Sequence, residues 1–597
     1  MIQSILDKVI KFGNDLYGRY VARFKKPDEP WYKYYSNLKK IDYPELTIYE
    51  LIEKTATSYQ NYNAYEYFGK KCTYKDFLTN IKKTASALIE LGVKENDRVT
   101  ICMPNTPVAI TMFYAVNMIG ATACMIHPLS SADEINHYLT ISDSKYILTI
   151  DLVYNKVIEA IKNTKIKKVI VSSVSDGMSS FKHTLYYFIT GKKNKIEKNE
   201  KAIFYNELLK LAVALDFERP ERKTTDEAVI LFSGGTTGKP KGIVLSNMNF
   251  NALAMQANAA IEEATVGASI LAILPIFHGF GLGVSIHTPL YIGMKVILVP
   301  DFTPRKFASL LKKYHPTIIT GVPTLYEALI KSSLGKNDLT SLKSVISGGD
   351  ILTPEFKTSI DDYLAAHGSK AKVRCGYGLT ECTGACLLNP SELYKDYSIG
   401  IPFPDMKFKI MKLDSNEQAD FLEDGEICVS GPTVMQGYLN DPKETKEVLI
   451  KDEEGNTWLH TGDIGYMDDD GFVFYKQRRK RLIISSGYNI YPTYVESVIN
   501  SNKYVDTSIV IGIPHPYKKQ VVKAYIVLKK DVKLTGAVKK SIKTYIEKHL
   551  VRYSWPYEYE YRDELPKTLV GKVAYKQLEE EHMRKYHEKN KSKKEGK

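Results

Sequence analysis

The sequence predicts an α/β protein with two domains of unequal size. The chain has 597 residues, more than a single hydrophobic core normally serves. From about residue 43, helices alternate with short apolar strands, which is typical of layered α/β sheets. From about residue 408 the strands follow one another more closely, as in antiparallel sheets, and a smaller α+β unit begins near residue 477. We therefore expect a large amino-terminal domain of layered sheets with a small β-barrel-like part, followed by a smaller carboxyl-terminal domain.

The patterns divide the chain into four segments: an amphipathic extension (1–40), a large domain (41–476), a smaller domain (477–582) and a basic tail (583–597). In residues 1–26, apolar side chains recur at helical spacing between basic ones. Such a helix either docks on the protein, which is the commoner case, or lies on a membrane surface. A Ser- and Lys-rich insert with an aromatic patch occupies 173–202, and its role stays open. The tail has seven Lys or Arg residues against two Glu and is predicted to be disordered.

Composition and charge exclude some classes of function. Hydrophobic residues make up 44% of the chain and charged residues 25%, as in ordinary soluble proteins. The net charge of +13 suits nucleic acid, a membrane surface or anionic small molecules, but no nucleic-acid-binding motif accompanies it. Seven scattered cysteines favour reduced thiols and a cytoplasmic protein. Two uncharged runs are not expected to span a membrane. The run 108–126 predicts a buried helix, a turn at Gly120 and a strand, and the run 267–294 contains two prolines and six glycines.

The most biased stretch of the chain is Ser233-Gly234-Gly235-Thr236-Thr237-Gly238-Lys239-Pro240-Lys241-Gly242, which lies between two apolar runs. Its four glycines let the backbone approach a ligand with converging N–H groups, while hydroxyls and lysines add donors and charge. These properties suit a polyphosphate. A Walker A loop is excluded because Pro240 would block the helix that such a loop precedes. The sequence therefore predicts a phosphate-binding loop of another kind.

Two further stretches carry groups that suit a nucleotide. Tyr377-Gly378-Leu379-Thr380-Glu381 ends a predicted strand and supplies an aromatic face for a purine and a carboxylate for Mg²⁺. Asp463 lies in a tight turn, where it could accept two hydrogen bonds from ribose hydroxyls. Each stretch by itself also fits an ordinary strand end or turn. Their combination is what favours a nucleotide site.

Taken in their order along the chain, these stretches resemble the adenylate-forming superfamily, which comprises acyl-CoA synthetases, luciferases and peptide-synthetase adenylation domains. The resemblance also rests on Gly431–Tyr438, Arg478–Pro492 and Leu565–Lys572, and it extends from about residue 43 to residue 578. The chain is most similar to long-chain fatty acyl-CoA synthetases. The resemblance implies an adenylation domain followed by a mobile lid domain. It also implies ATP and coenzyme A as co-substrates and Mg²⁺ as cofactor.

The resemblance implies a role for each matching residue. The loop would bind the β- and γ-phosphates through Ser233, Gly234, Gly235, Thr236, Thr237, Gly238, Lys239 and Lys241. The adenine would lie against Gly348, Gly349 and Tyr377, and the ribose against Asp463 and Arg478. The catalytic residues would be Thr380 near the α-phosphate, Glu381 on Mg²⁺, His278, and Lys572 between the substrate carboxylate and the α-phosphate.

The resemblance also implies a second step and a hinge. Rotation at Lys480 would withdraw Lys572 and bring Gly487, Tyr488 and Asn489 to the acyl-adenylate for attack by a thiol. Ile484 stands where the family often has a lysine that assists this step, and Gln477 replaces a common glycine. Thioester formation is therefore less firmly implied than adenylation.

Residues around Phe277-His278 indicate which acid is activated. Relatives that activate amino acids have an Asp here to pair with the substrate's ammonium, and a histidine supplies no fixed negative charge, so a simple carboxylic acid is favoured. The acyl pocket would be lined by Phe277, Phe280, Gly281, Val322 and Pro323. Each buried methylene contributes about 0.8 kcal/mol. A long-chain fatty acid is expected, with medium-chain and aryl acids left open.

Coenzyme A is the expected acceptor, because no carrier domain follows in the sequence. The alternatives are ligation to an acyl carrier protein and a non-catalytic relative that binds an acyl or nucleotide ligand. The expected partners are small molecules and not nucleic acid. Peripheral contact with a membrane and homo-oligomerisation stay open.

Overall fold

The computed structural model describes residues 29–35, 41–186, 188, 199–233, 240–413, 415–485, 488–515, 517–567 and 573–595. The predicted helix in 1–26, the loop residues 234–239, Gly487 and Lys572 lie outside the described residues. The chain forms two compact units. The first comprises 1–408, 428–459 and 468–473, and the second comprises 409–427, 460–467 and 474–597. The predicted α/β fold, with a large sheet-containing domain and a smaller carboxyl-terminal domain, is confirmed.

The division differs in one respect from the predicted boundary between 476 and 477. Two earlier segments, 409–427 and 460–467, belong to the second unit. These segments bond to each other: the main-chain N–H of Leu422 donates to the oxygen of Met467 at 2.8 Å, and Thr461 Oγ1 donates to the oxygen of Ile427 at 2.7 Å. Residue order alone does not reveal such pairing between distant segments.

The described residues form the following strands: β1 (Asn63–Tyr67), β2 (Lys70–Thr73), β3 (Arg98–Cys102), β4 (Thr122–Met125), β5 (Tyr146–Ile150), β6 (Lys168–Ser172), β7 (Ala202–Phe204), β8 (Glu227–Ser233), β9 (Lys241–Ser246), β10 (Ser269–Ala272), β11 (Lys295–Leu298), β12 (Ile318–Gly321), β13 (Ser344–Ser347), β14 (Val373–Tyr377), β15 (Leu387–Leu388), β16 (Ser398–Pro402), β17 (Lys407–Met411), β18 (Gly425–Ser430), β19 (Gly437–Tyr438), β20 (Leu449–Lys451), β21 (Thr457–Met467), β22 (Val473–Arg478), β23 (Ile483–Ser485), β24 (Tyr488–Ile490), β25 (Val505–His515), β26 (Lys519–Leu528) and β27 (Glu558–Arg562).

The helices are α1 (Ile48–Ser58), α2 (Tyr74–Glu90), α3 (Pro107–Met118), α4 (Ala132–Ser142), α5 (Tyr154–Ala160), α6 (Ser180–Tyr186), α7 (Tyr205–Leu208), α8 (Asn247–Ala260), α9 (Thr288–Ile292), α10 (Phe307–Tyr314), α11 (Pro323–Ile330), α12 (Pro354–Ala366), α13 (Pro442–Val448), α14 (Pro492–Asn500), α15 (Gly536–His549) and α16 (Tyr575–Glu595). Many start where the sequence supplies a cap. In α1, for example, Thr47 and Glu50 form a capping box, and α3 begins with a proline that fits the first helical turn.

One sheet of the first unit has the strand order β19-β9-β8-β4-β3-β5-β6-β7. The strands from β8 to β7 in this order are parallel, and β9 runs antiparallel to β8 with Ser233 opposite Lys241. The predicted strands on both sides of the phosphate loop are therefore β8 and β9.

A second sheet of the first unit contains the parallel run β14-β13-β12-β10-β11-β1, with β2 and β15 added antiparallel at its two ends. The carboxyl ends of parallel strands meet at one edge of a sheet, where ligands of α/β proteins usually bind. This edge carries most of the predicted site residues of the first unit.

The uncharged run 108–126 forms a buried helix, a glycine turn and a strand, as predicted. All twelve residues of α3 are buried, Gly120 has a φ of +71°, and β4 is buried along its length. Within the part of the chain that the structure describes, no helix combines the length and apolarity needed to cross a membrane.

The second unit has its own sheet, with the order β24-β23-β26-β25 and with β27 beside β26. Helices α14 and α15 cover one face through Val495, Ile499, Ile542 and Ile546. On the other face, Leu578 of α16 packs among the side chains of β25 and β26.

Helix α16 extends through residues 583–595 of the basic tail, for which the composition predicts disorder. Contacts with the sheet hold the part of the helix that precedes the tail. Glu581 pairs with Arg562 at 2.7 Å and with Lys585, four residues on, at 2.6 Å. Together with the buried Leu578, these pairs stabilise the start of the helix.

Candidate active site

The carboxyl ends of β13 and β14 form the surface on which the predicted adenine-binding residues lie. Gly348 and Gly349 follow β13, and Tyr377 ends the neighbouring strand. A Cβ built on Gly348 would lie 3.2 Å from the Phe280 ring, and one on Gly349 would lie 3.5 Å from Val322 Cγ1. Gly349 also has a φ of +79°, which favours glycine. The structure thus brings predicted nucleotide and acyl residues together at one sheet edge.

The turn after β14 carries Thr380 and Glu381 and contacts residues 276–281, which we call the acyl segment, through main-chain atoms. Thr380–Cys382 forms one 3₁₀ turn. Gly384 has a φ of +108°, and a Cβ on it would lie 2.3 Å from the carbonyl carbon of Gly279. Since Gly279 directly follows His278, the predicted magnesium ligand and the predicted acid-binding segment lie on adjoining backbone.

Tyr438 links Glu381 to Lys241, the last basic residue of the predicted phosphate loop. The Tyr438 hydroxyl donates to Oε1 of Glu381 at 3.1 Å, and the Lys241 ammonium lies 4.9 Å from the centroid of the same ring. Lys241 also forms an ion pair with Glu444. Strand β19 fixes Tyr438 by pairing it with Ile243 of β9. No sequence pattern assigns a role to Tyr438, although it ends one of the stretches that carry the resemblance.

Glu381 offers oxygen donors that fit Mg²⁺. Its side chain is half-buried, and the main-chain N–H of Met435 donates to its carbonyl oxygen at 2.8 Å, which holds the turn. Tyr438 occupies Oε1, and among the described residues no donor bonds to Oε2. Mg²⁺ at nucleotide sites is usually held by one or two carboxylates, with phosphate and water as the other ligands. A single carboxylate at this turn matches that pattern.

Asn105 holds the acyl segment in place, although no sequence motif marks this residue. Its Nδ2 donates to the carbonyl oxygens of Ala272 and Leu274, both at 2.9 Å, and its Oδ1 accepts the Ile276 N–H at 3.1 Å. The side chain is buried and holds the residue immediately before Phe277. The only signal in the sequence is a polar residue shortly after an apolar strand.

A histidine contributes to the wall around Phe277. The rings of His127 and Phe277 lie 4.2 Å apart between centroids, and the ring of His278 lies 4.9 Å from that of Phe277. His127 Nδ1 accepts the Leu129 N–H at 2.9 Å. Burial lowers the pKa of His127 below its ordinary value, so a neutral imidazole lies against Phe277 at neutral pH, with the two rings tilted by 36°.

The predicted acyl residues Phe280 and Gly281 open a π helix, Phe280–His287. A Cβ on Gly281 would lie 1.9 Å from the carbonyl oxygen of Pro275, so no other residue fits this backbone. Val322 caps α11, and Pro323 is its first residue. His287, at the end of the π helix, is fully buried between the Tyr114 hydroxyl and Asn251.

In the second unit, the two predicted ribose-binding residues form an ion pair. Arg478 Nε lies 3.0 Å from Asp463 Oδ1, and the Asp463 side chain is almost fully buried. Arg478 also donates to the carbonyl oxygen of Thr461 at 3.1 Å. The Gly462 N–H donates to Glu426 Oε1 at 2.9 Å and fixes the turn before Asp463.

Glu426 is held ionised at this turn. Burial opposes its ionisation, but hydrogen bonds from His460 and Gly462 and the charge of Arg479 outweigh burial and keep the pKa of Glu426 below its ordinary value. The turn that carries Asp463 is thus anchored on a carboxylate whose ionised form is favoured.

The predicted hinge residue Lys480 is exposed in a 3₁₀ turn, Arg479–Arg481. The next residue, Arg481, is paired with Glu496, whose Oε1 also accepts the Val510 N–H at 2.7 Å. The backbone of Tyr488 and Asn489, predicted for the coenzyme A step, forms β24. The structure therefore places an exposed residue directly before a firmly held one.

Family models match both parts of the chain. The model described as AMP-binding enzyme matches residues 52–439, and the one described as AMP-binding enzyme C-terminal domain matches residues 494–572. The first match alone covers more than half of the chain and includes the turn with Glu381 and the strand with Tyr438.

Curated relatives align along nearly the whole chain. A long-chain-fatty-acid–CoA ligase of Bacillus subtilis is 33% identical over 571 residues, which cover 94% of this chain and 99% of the relative. The ligase of the same description from Salmonella typhimurium is 32% identical over 90% of this chain and 94% of its own.

Solved structures of acid–CoA ligases share the fold. ATP-bound MatB from Rhodopseudomonas palustris superposes with a TM-score of 0.77 at 23% identity, covering 90% of this chain and 99% of its own. The anthranilate CoA ligase AuaEII in complex with anthranoyl-AMP gives a TM-score of 0.76 at 21% identity, covering 92% and 98%. At these identities the likeness concerns the fold alone.

Proposed function

The chain belongs to the AMP-binding enzyme family, and on that premise we propose that it activates a carboxylic acid with ATP. The first step forms an acyl-adenylate and releases diphosphate. The second step transfers the acyl group to coenzyme A and releases AMP. The observation that carries this proposal is the arrangement of Lys241, Tyr438 and Glu381 beside the acyl segment.

The first step joins two anions, so positive charge must gather where they meet. Lys241 would release Glu444 and turn to the phosphates, and Glu381 would hold Mg²⁺, which neutralises phosphate charge when bound. Tyr438 keeps the Glu381 carboxylate oriented through its hydroxyl. Lys572 would bridge the acid and the α-phosphate. The backbone contact between Gly384 and Gly279 keeps the carboxyl end of the acid next to this charge.

The second unit would supply the residues that contact the ribose, and its rotation would switch the enzyme from adenylate formation to thioester formation. Asp463 would accept hydrogen bonds from the ribose hydroxyls, with Arg478 holding its carboxylate in place. Rotation at Lys480 would then exchange Lys572 for Gly487, Tyr488 and Asn489. The fixed Arg481–Glu496 pair supports a hinge that ends immediately before it.

A long-chain fatty acid is the substrate that we propose. The curated relatives named above support this chain length, and so does the apolar character of the residues at the acyl segment. Phe277 lies against a neutral His127, and this ring pair offers no charge to a polar substrate. Buried methylenes contribute about 0.8 kcal/mol each, so a pocket of this kind favours long chains.

The test is to incubate the protein with ATP, Mg²⁺, coenzyme A and saturated acids of two to eighteen carbons, following AMP and thioester separately. We expect both products to be largest with the long acids. Acyl-adenylate without thioester would keep the first step and point to another thiol acceptor, such as an acyl carrier protein, in accord with Ile484. If no acid yields either product, the proposal is overturned, and a protein that only binds its ligands is the remaining interpretation.

A further inference from the structure

Helix α6, in the insert between β6 and β7, turns its apolar side chains to solvent. Phe181 is 78% exposed, Leu185 is 49% exposed and Phe188, just beyond the helix, is 60% exposed. They are spaced four and three residues apart, which places them on one side of a helical segment. We call these three residues the apolar stripe.

The polar residues of the same helix are exposed too, but they make contacts with the protein. Ser180, His183 and Thr184 border a cavity of about 380 Å³. Lys182 donates to the carbonyl oxygen of Phe68, and His183 Nδ1 lies 3.3 Å from the carbonyl oxygen of Ser175. None of the seven residues of α6 is buried, so this helix lacks the buried apolar side of an ordinary surface helix.

The orientation of the helix is fixed by the loop that leads into it. The Tyr67 hydroxyl donates to the carbonyl oxygen of Val174 at 2.7 Å, and Lys70 reaches that of Met178 at 3.5 Å. Gly177 has a φ of +92°, and a Cβ on it would lie 2.9 Å from Pro107. A loop held at three points presents the apolar stripe outward as part of the fold.

We propose that the apolar stripe docks the protein on the surface of an anionic lipid bilayer. Residues 180–202 contain six lysines and two glutamates, so the sequence that carries the stripe has a net positive charge. Lys182 follows Phe181 directly, and Lys70 bonds to the carbonyl oxygen of Met178 in the loop before the helix, so both add positive charge that attracts anionic headgroups. A short helix with an apolar face and basic flanks is suited to lie in the interfacial layer.

The size of the stripe favours a bilayer over a protein partner. A stable protein–protein interface buries about 800 Å² on each side, which is much more than three side chains offer. Shallow insertion of a few large apolar groups, combined with attraction of lysines to anionic lipid, needs no larger surface. We therefore propose a bilayer. Binding of the apolar stripe to a second copy of this chain or to another protein is an alternative that the test distinguishes.

The test is cosedimentation of the full-length protein with vesicles of phosphatidylcholine alone or with 30% phosphatidylglycerol. The variant Phe181→Ser/Leu185→Ser/Phe188→Ser removes the stripe. The matched control Leu393→Ser/Ile450→Ser/Val551→Ser changes three apolar residues that are 40%, 45% and 53% exposed elsewhere. No ATP, acid or coenzyme A is present, so failure here is distinct from failure of the proposed reaction.

We expect the natural protein and the control to bind anionic vesicles, and the stripe variant to bind at least ten-fold more weakly. Binding of the natural protein should also weaken with added salt. Equal binding by the stripe variant would overturn the proposal and would assign any membrane affinity to another part of the chain, such as residues 1–26. A different result would also overturn the proposal: the natural protein does not bind vesicles but self-associates with rising concentration, and the stripe variant does not. The apolar stripe would then be a contact between two copies of this chain. Circular dichroism of each variant excludes loss of folding as the cause.

Discussion

The Tyr438 hydroxyl donates a hydrogen bond of 3.1 Å to Oε1 of Glu381. The two residues are 57 positions apart in the chain, and they come from different sheets of the first unit. Their contact orients a carboxylate that would otherwise rotate freely at a turn. A hydrogen bond to an ionised group of this kind contributes roughly 1.5–3 kcal/mol.

Tyr438→Phe should therefore lower the rate of acyl-adenylate formation about ten-fold, because 1.4 kcal/mol corresponds to a factor of ten. It should also raise the Mg²⁺ concentration needed for half-maximal rate. The measurement is diphosphate release across a Mg²⁺ titration. Tyr35→Phe is the matched control, since the Tyr35 hydroxyl donates to the carbonyl oxygen of Pro402 at 2.9 Å, away from Glu381. An equal loss in both variants would contradict a role for Tyr438 in orienting Glu381.

Glu444→Gln should lower the KM for ATP about two- to five-fold, the range expected when a partly exposed ion pair no longer competes for Lys241. The kcat should change little, because in the proposed reaction Lys241 releases Glu444 before the chemical step. Steady-state kinetics with varied ATP checks this. Glu447→Gln, an exposed residue on the same helix, should have no effect. A higher KM in Glu444→Gln would mean that the carboxylate helps to bind ATP.

Asn105→Ala should raise the KM for the acid more than that for ATP, since it releases the segment before Phe277. It leaves two carbonyl oxygens and one N–H of the buried segment without this partner, so the free energy of unfolding should also fall by about 2–4 kcal/mol. Urea unfolding and acid titrations measure the two effects. Asn136→Ala removes donors to the carbonyl oxygens of Ala160 and Lys162 elsewhere and should spare the KM for the acid. Equal changes in KM would show that Asn105 has no special link to the acid site.

Stability should fall as the pH drops below about 6.5 because of His287. Burial lowers the pKa of His287 to about 3, whereas the unfolded value is about 6.5. Between these two pH values His287 is protonated in the unfolded chain and neutral in the folded protein. The free energy of unfolding therefore decreases by about 1.4 kcal/mol for each unit by which the pH falls. The contribution is fully present above pH 6.5 and is lost on acidification.

Urea unfolding midpoints at pH 7.5, 6.5 and 5.5 measure this dependence. His287→Gln should flatten the profile, since the amide can still bond to the Tyr114 hydroxyl and Asn251 without titrating. His549→Gln, on the exposed face of α15, should leave the profile as it is. If stability depends on pH as steeply in His287→Gln as in the natural protein, His287 is not the cause of the pH dependence.

The sequence predicted much of the first unit because its signals are local. The uncharged run 108–126 predicts α3 and β4, and the apolar runs on both sides of the glycine-rich stretch predict β8 and β9. These elements follow from apolar periodicity and turn residues that are close together in the chain.

The sequence could not supply contacts between distant segments. Asn105, Tyr438 and Glu444 act through partners that are roughly 60 to 200 positions away, and no spacing marks such pairs. The segments 409–427 and 460–467 were assigned to the larger domain for the same reason. Before the tail, the start of α16 is held by an ion pair between Glu581 and Arg562 and by the buried Leu578, contacts that composition does not reveal.

The three hydrogen bonds of Asn105 also constrain how the protein is made. Its amide group follows β3 of one sheet, yet its partners are near β10 of the other, 167 to 171 residues later. A ribosome that adds 5–20 residues per second needs roughly 10–30 seconds to deliver them. During that time a buried amide has no native partner, so the nascent first sheet is incomplete at the position where the two sheets later join. Translation pauses within this interval would lengthen its exposure to chaperones and proteases, whereas pauses after residue 276 would not.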